Sequence, residues 1–97
     1  MSAPAAIARH FVLTGHVQGV GFRWWVQRQA EALSLLGWVM NADDERSVEL
    51  VAEGGAEALD ELARRVAIGP PGARVDSFES DRGPASGEFH RFGIMRS

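Results

Sequence analysis

The run Gly15-His16-Val17-Gln18-Gly19-Val20-Gly21-Phe22-Arg23 combines three glycines with an arginine that follows closely. These types at this spacing suit one task, the holding of an anion. Phe22, Trp25, Val26, Gln29, Leu33 and Leu36 recur at steps of three and four. That period predicts an amphipathic helix from Phe22 to Leu36, closed by Gly37 in the C′ position. A helix opens on four backbone N–H groups that lack partners within it, and Ser, Thr, Asp or Asn usually caps some of them. Gln18-Gly19-Val20-Gly21 offers only glycine for that role. Arg23 then sets a cation at the positive end of the helix dipole, unfavourable by roughly 0.3–1 kcal/mol. Glycine also lets successive amides turn toward a common point. A bound anion relieves all of these conflicts together. On this pattern alone, a tight turn followed by a solvated arginine stands as the plainer alternative. The dinucleotide fingerprint is excluded, because the run lacks the G-x-G-x-x-G spacing.

Absent residue types narrow the chemistry further. The chain has no Cys, which removes disulfide scaffolds, thiolate-ligated zinc, iron–sulfur clusters and thiol nucleophiles. All ten basic residues are Arg, so neither a Schiff-base lysine nor a Walker-A loop can be built. Tyr is missing as well. An enzyme made from this chain works with Arg, His, Asp, Glu, Ser, Thr, Asn and backbone groups. Ten basic against thirteen acidic residues leave a formal charge of −3. That argues against duplex DNA or an anionic membrane as partner, since both demand excess positive charge.

The anion loop and Arg23 need a framework, and 97 residues supply one domain, 1–97. The first strand is expected from Ile7 to Thr14, rich in β-branched and aromatic residues and ending at Gly15. After the first helix, Trp38 to Asn41 reads as a short strand and Ala42 to Ser47 as a polar turn. Val48 to Glu53 alternates, with Val48, Leu50 and Ala52 on one face, which predicts a half-buried strand antiparallel to the previous one. Ala56, Leu59, Leu62, Ala63 and Val66 mark a second helix, closed by Gly69-Pro70-Pro71-Gly72. Arg74 to Ser80 is expected as a fourth strand and Asp81 to Gly87 as a turn-rich connection. Glu88 to Arg96 completes the set, with Phe89, Phe92 and Ile94 directed to the core. The order β-α-β-β-α-β predicts an α+β, ferredoxin-like sandwich: an antiparallel sheet with two helices on one face. Residues 1–6 read as a flexible N-terminus without a targeting signal. Nothing approaches about 18 consecutive apolar residues, and a cytoplasmic location is expected.

The loop from Gly15 to Arg23 closely resembles the signature of the acylphosphatases. The resemblance continues through Gly37-Trp38-Val39-Met40-Asn41, Val51-Ala52-Glu53-Gly54, Gly69 to Val75 and Phe89-His90-Arg91-Phe92. It implies a small enzyme that hydrolyses the carboxyl-phosphate bond of acyl phosphates, a single acylphosphatase-like domain acting as a monomer without cofactor or metal. Its motif arginine falls on Arg23, which would hold the phosphoryl group with the loop amides of Gln18, Gly19, Val20, Gly21 and Phe22. Its motif asparagine falls on Asn41, which would orient the attacking water. The residue types suit these roles. The planar guanidinium matches phosphate oxygens, and an amide can hold water without ionising. The turn Ala42-Asp43-Asp44-Glu45-Arg46-Ser47 departs from the family's Asp-Gly turn and lies beside Asn41. The expected partners are a small acyl phosphate and inorganic phosphate, with no nucleic acid and no membrane.

Other residues carry weaker signals. His10, His16 and His90 fit no metal spacing, although His16, within the loop, could add charge near an anion. Asp43, Asp44 and Glu45 read as a solvated turn rather than a cation site. Trp25 is expected in the core and Trp24 partly exposed. The alternative function is a non-catalytic acylphosphatase-like module, such as the one that begins the hydrogenase-maturation carbamoyltransferases, or a ferredoxin-like domain that binds a small ligand or RNA. Arg23 and Asn41 together favour the enzyme, because a binding module has no need of both.

Overall fold

Residues 6–96 are described by a computed structural model; apart from Ala6, the expected flexible N-terminus lies outside the described residues. The chain forms β1 (Ile7–His16), α1 (Phe22–Ala32), β2 (Leu36–Asn41), β3 (Ser47–Gly54), α2 (Ala56–Ile68), β4 (Arg74–Pro84) and β5 (Phe92–Met95). The sheet order is β4-β1-β3-β2-β5. Alternation decides the strands. Phe11 and Leu13 of β1 and Val48, Leu50 and Ala52 of β3 face the helices and are buried. Val26 and Ala30 of α1, with Leu59, Leu62 and Val66 of α2, close the same core. Each such Leu, Val or Phe contributes about 1.5–3 kcal/mol by leaving water. Arg9 shares the core face of β1. Its guanidinium donates to Asp60 Oδ1 of α2 at 3.1 Å and to Ser80 Oγ of β4 at 2.9 Å, which ties helix to sheet.

The ferredoxin-like sandwich is as expected, with corrections at α1 and at the last strand. The first helix stops four residues earlier than its periodicity predicts. Ser34 takes the left-handed conformation (φ 58°) that was expected of Gly37. Leu35 N–H donates back to Ala30 O at 2.9 Å, and Ser34 N–H to Glu31 O at 3.0 Å. This Schellman-type closure drops the Leu35 side chain into the core. Gly37 is therefore not a cap but part of β2. There, a Cβ would lie 1.9 Å from Val51 O of the neighbouring strand at φ +142°, so only glycine fits.

The sheet is antiparallel in the pairs β1–β3, β1–β4 and β2–β3, but β2 and β5 run parallel. The expectation of a wholly antiparallel sheet fails at this edge for a reason of connection. Strand β4 runs on through Asp81 to Pro84 and finishes opposite Ile7, at the end of the sheet where β1 starts. The chain then passes beneath the sheet, where Glu53 accepts the N–H groups of Ser86 at 2.8 Å and Gly87 at 3.1 Å. It reaches β2 at that strand's beginning, with Gly37 N–H donating to Arg91 O at 3.1 Å, and must follow it upward. Phe89 belongs to this crossing and lies outside the core cluster, contrary to expectation, whereas Phe92 is buried and Ile94 packs on its margin.

Candidate active site

Strands β1 and β2 finish at the same end of the sheet, since Thr14 lies opposite Ser47 and Asn41 opposite Val48, both at the start of β3. Helix α1 begins at that end too. The β1–β4 register slips between Thr14 and Gly15, and after His16 the chain swings out as the glycine loop. Gly21 caps α1 in the left-handed conformation (φ 74°, ψ 19°) with no side-chain cap bond. A Cβ there would meet nothing within 4 Å, so backbone conformation rather than crowding calls for glycine.

The loop leaves its donors free. Among the described residues, no oxygen accepts a hydrogen bond from the N–H groups of Gln18 to Trp24; the first helical bond is Trp25 N–H to Gly21 O at 3.0 Å. The first turn of α1 contains no acid. Arg23 forms no ion pair among the described residues, and only its Nη1 approaches an acceptor, Met95 O at 3.5 Å. Gly19, Gly21, Arg23, Trp24 and Asn41 border a pocket of about 140 Å³. The Oδ1 atom of Asn41 is buried without a hydrogen-bond partner among the described residues. Unpaired donors, a cation and Asn41 thus meet around one small space, which can hold a tetrahedral oxyanion and a water.

Gln18 acts in a way that sequence alone does not reveal. Its side-chain amide donates to Ala42 O at 3.1 Å and Ser47 O at 2.8 Å. It braces the loop against the hairpin that carries Asn41. The turn of that hairpin, though it contains no glycine, is held by its own bonds. Asp44 accepts from Ser47 Oγ at 2.6 Å and from the N–H groups of Arg46 and Ser47 at 2.9 and 2.8 Å. The Ser47 hydroxyl bond, then the Arg46 N–H, hold the Asp44 carboxyl below its ordinary range. Glu45 takes the left-handed position (φ 63°). Thr14 and Ser47 hydroxyls lie 2.9 Å apart, which links β1 to the same turn. The β3 alternation was the available signal for this hairpin; the Gln18 brace had none.

The remaining candidates stand apart. His10 pairs with Glu49, while His16 ends β1 and His90 precedes β5, both exposed. Among the described residues no group of three or more His, Asp or Glu side chains could hold a metal. A roomier groove of about 840 Å³ runs along β5 past Gln27, Trp38 and Phe89, and none of the expected site residues lines it. Among the described residues no helix is long and apolar enough to cross a membrane.

Comparison with known proteins points in one direction. The acylphosphatase family model matches residues 9–94. An acylphosphatase of Methylococcus capsulatus is 45% identical over 87 residues, covering 90% of this chain and 94% of its own. The structure of an acylphosphatase from Coxiella burnetii superposes with a TM-score of 0.89 at 32% identity, covering 98% of this chain and all of that one (100%). Full-length HypF, solved in a phosphate- and nucleotide-bound form, contains a similar unit: TM-score 0.87 and 27% identity over 97% of this chain, but only 12% of its own.

Proposed function

The chain belongs to the acylphosphatase family and is an acyl-phosphate hydrolase; from this premise we propose that Arg23 and the loop amides of Gln18 to Phe22 hold the phosphoryl group while Asn41 orients the attacking water. What supports the assignment is the convergence, at one pocket, of amides and an arginine that are unpaired among the described residues, and of Asn41.

The chemistry asks for positioning more than for a strong base. Water attacks phosphorus in line with the bond to the acyl oxygen; the P–O bond breaks and its electron pair leaves with the carboxylate. Charge grows on the equatorial phosphoryl oxygens, where fixed N–H donors and a guanidinium act without reorganising. The Asn41 side-chain amide hydrogen-bonds the water and so fixes its direction of approach. The proton released passes to a phosphoryl oxygen of the substrate, giving dihydrogen phosphate and carboxylate. The carboxylate is a good leaving group, so no residue of shifted pKa is required. On this reading the enzyme needs no metal or cofactor, acts as a monomer on a small acyl phosphate in the cytoplasm, and is inhibited competitively by inorganic phosphate.

Hydrolysis of benzoyl phosphate in EDTA tests the proposal. Wild-type protein should turn over without metal, and Arg23→Ala should lose about 10²–10³ in rate and bind inorganic phosphate more weakly. Arg23→Ala at wild-type activity would remove Arg23 from the site.

A further inference from the structure

The pocket assigned to the phosphoryl group is small. Its volume is about 140 Å³, the share of four or five water molecules at about 30 Å³ each. With a phosphoryl group and the attacking water inside, a ring-sized acyl group projects past the rim. What lines the rim therefore decides which acyl groups gain a contact. Val17 and Phe22 are fully buried beneath the pocket. Gly19 and Gly21 bring no side chain, and the space where a Cβ would stand is open. Arg23 and Asn41 are polar. Trp24 remains, bordering the same pocket with 63% of its surface exposed.

The two adjacent tryptophans divide their work. Trp25 packs against Phe22 with ring centroids 5.7 Å apart and belongs to the margin of the core. Trp24 lies outside that core and stands, among the described residues, as the one large, exposed aromatic side chain bordering the pocket. We infer that the Trp24 indole is the subsite for the acyl group, favouring flat aromatic acyl phosphates over small aliphatic ones. The inference rests on the reading of the pocket as the phosphoryl site. The contact exists in ground state and transition state alike, so it acts on KM more than on kcat.

The test is kcat/KM for benzoyl phosphate and acetyl phosphate in wild type, Trp24→Ala and Trp24→Phe. Taking the ratio of the two substrates within each protein, and comparing ratios between proteins, cancels the difference between the leaving groups. Trp24→Ala should lower the benzoyl-to-acetyl ratio by about 3- to 10-fold, the range expected of one aromatic contact, through a raised KM for benzoyl phosphate. Trp24→Phe should recover most of the ratio. Inhibition by inorganic phosphate, which has no acyl group, reports on the phosphoryl pocket separately in each protein. An unchanged ratio in Trp24→Ala, an equal loss on both substrates, or no recovery in Trp24→Phe overturns the subsite. If wild type hydrolyses neither substrate, the phosphoryl reading itself fails and the subsite falls with it.

Discussion

Truncating Asn41 should separate activity from stability, with opposite signs for the two. Asn41 Oδ1 is buried and unpartnered among the described residues. A buried acceptor in that condition costs about 1–3 kcal/mol relative to its hydrated state. Alanine removes the acceptor and gives up only the packing of a half-buried amide. The folded protein should therefore be unchanged in stability or gain up to about 2 kcal/mol. A structural asparagine, with its bonds made, would instead lose about 1–3 kcal/mol on the same truncation. Activity should move the other way. Loss of one group that positions the reacting water corresponds to about 2.7–4 kcal/mol of barrier, or 10²–10³ in kcat. Inhibition by inorganic phosphate should change little, because the water contact matters in the transition state. Asn41→Asp keeps the shape but sets a negative charge beside the phosphoryl group, and should harm turnover at least as much as alanine while also weakening phosphate. Urea unfolding followed by tryptophan fluorescence, at constant m-value, alongside benzoyl phosphate hydrolysis, reads both axes. Normal kcat in Asn41→Ala, with Arg23 still essential, would mean that another group positions the water. A stability loss above about 2 kcal/mol would mean that the amide serves the fold.

Arg23→Lys should behave much like Arg23→Ala in turnover, because a point charge cannot make the bidentate contact with phosphate; near-wild-type kcat/KM in the lysine variant would refute that geometry. Gln18→Leu removes two hydrogen bonds, about 1–3 kcal/mol of stability together, and uncouples the loop from the hairpin. It should lower kcat about tenfold by displacing Asn41 from the loop, whereas a stability loss with unchanged kcat would make the brace structural only. Glu53 is a test by pH. Its burial opposes ionisation, but the Ser86 and Gly87 donors outweigh that and hold its carboxyl below the ordinary 4.5. Its stabilising contribution is thus fully present above pH 4.5 and is lost as pH falls through the lowered folded value. Between about pH 6 and pH 3, wild type should lose more stability than Glu53→Gln, and parallel melting curves across that range would contradict the assignment.

The uncapped start of α1 was legible because its signal is local: glycines and a missing cap within a few residues. The alternation in β3 and the stripe of α2 were legible for the same reason. The end of α1 was not. Leu33 and Leu36 keep the helical period going, while the chain breaks at Ser34, a residue with no special claim to the left-handed region, because Leu35 gains burial there. The direction of β5 depends on where β4 finishes, and β4 runs four residues beyond its expected end through charged Asp81 and Arg82. Phe89 looked like core from its neighbours Phe92 and Ile94, but the crossing beneath the sheet breaks their alternation. The Gln18 brace joins atoms 24 and 29 residues apart and has no local trace.

The two outer strands differ greatly in length, and this bears on how the protein behaves when crowded. An open strand edge is a template for another chain, through its row of unpaired N–H and C=O groups. Strand β5 has four residues and presents too short a row to recruit a partner. Strand β4 has eleven, long enough to be a hazard. It is interrupted by Arg74, Asp76, Glu79, Asp81 and Arg82 and finishes at Pro84, which has no N–H to give. A second molecule laid along it would have to strip water from these charges before gaining any ladder bond. The sheet that holds the glycine loop in place is thereby guarded against growing into a fibre, and the protein is expected to stay dispersed at concentrations where an uncharged edge of that length would aggregate.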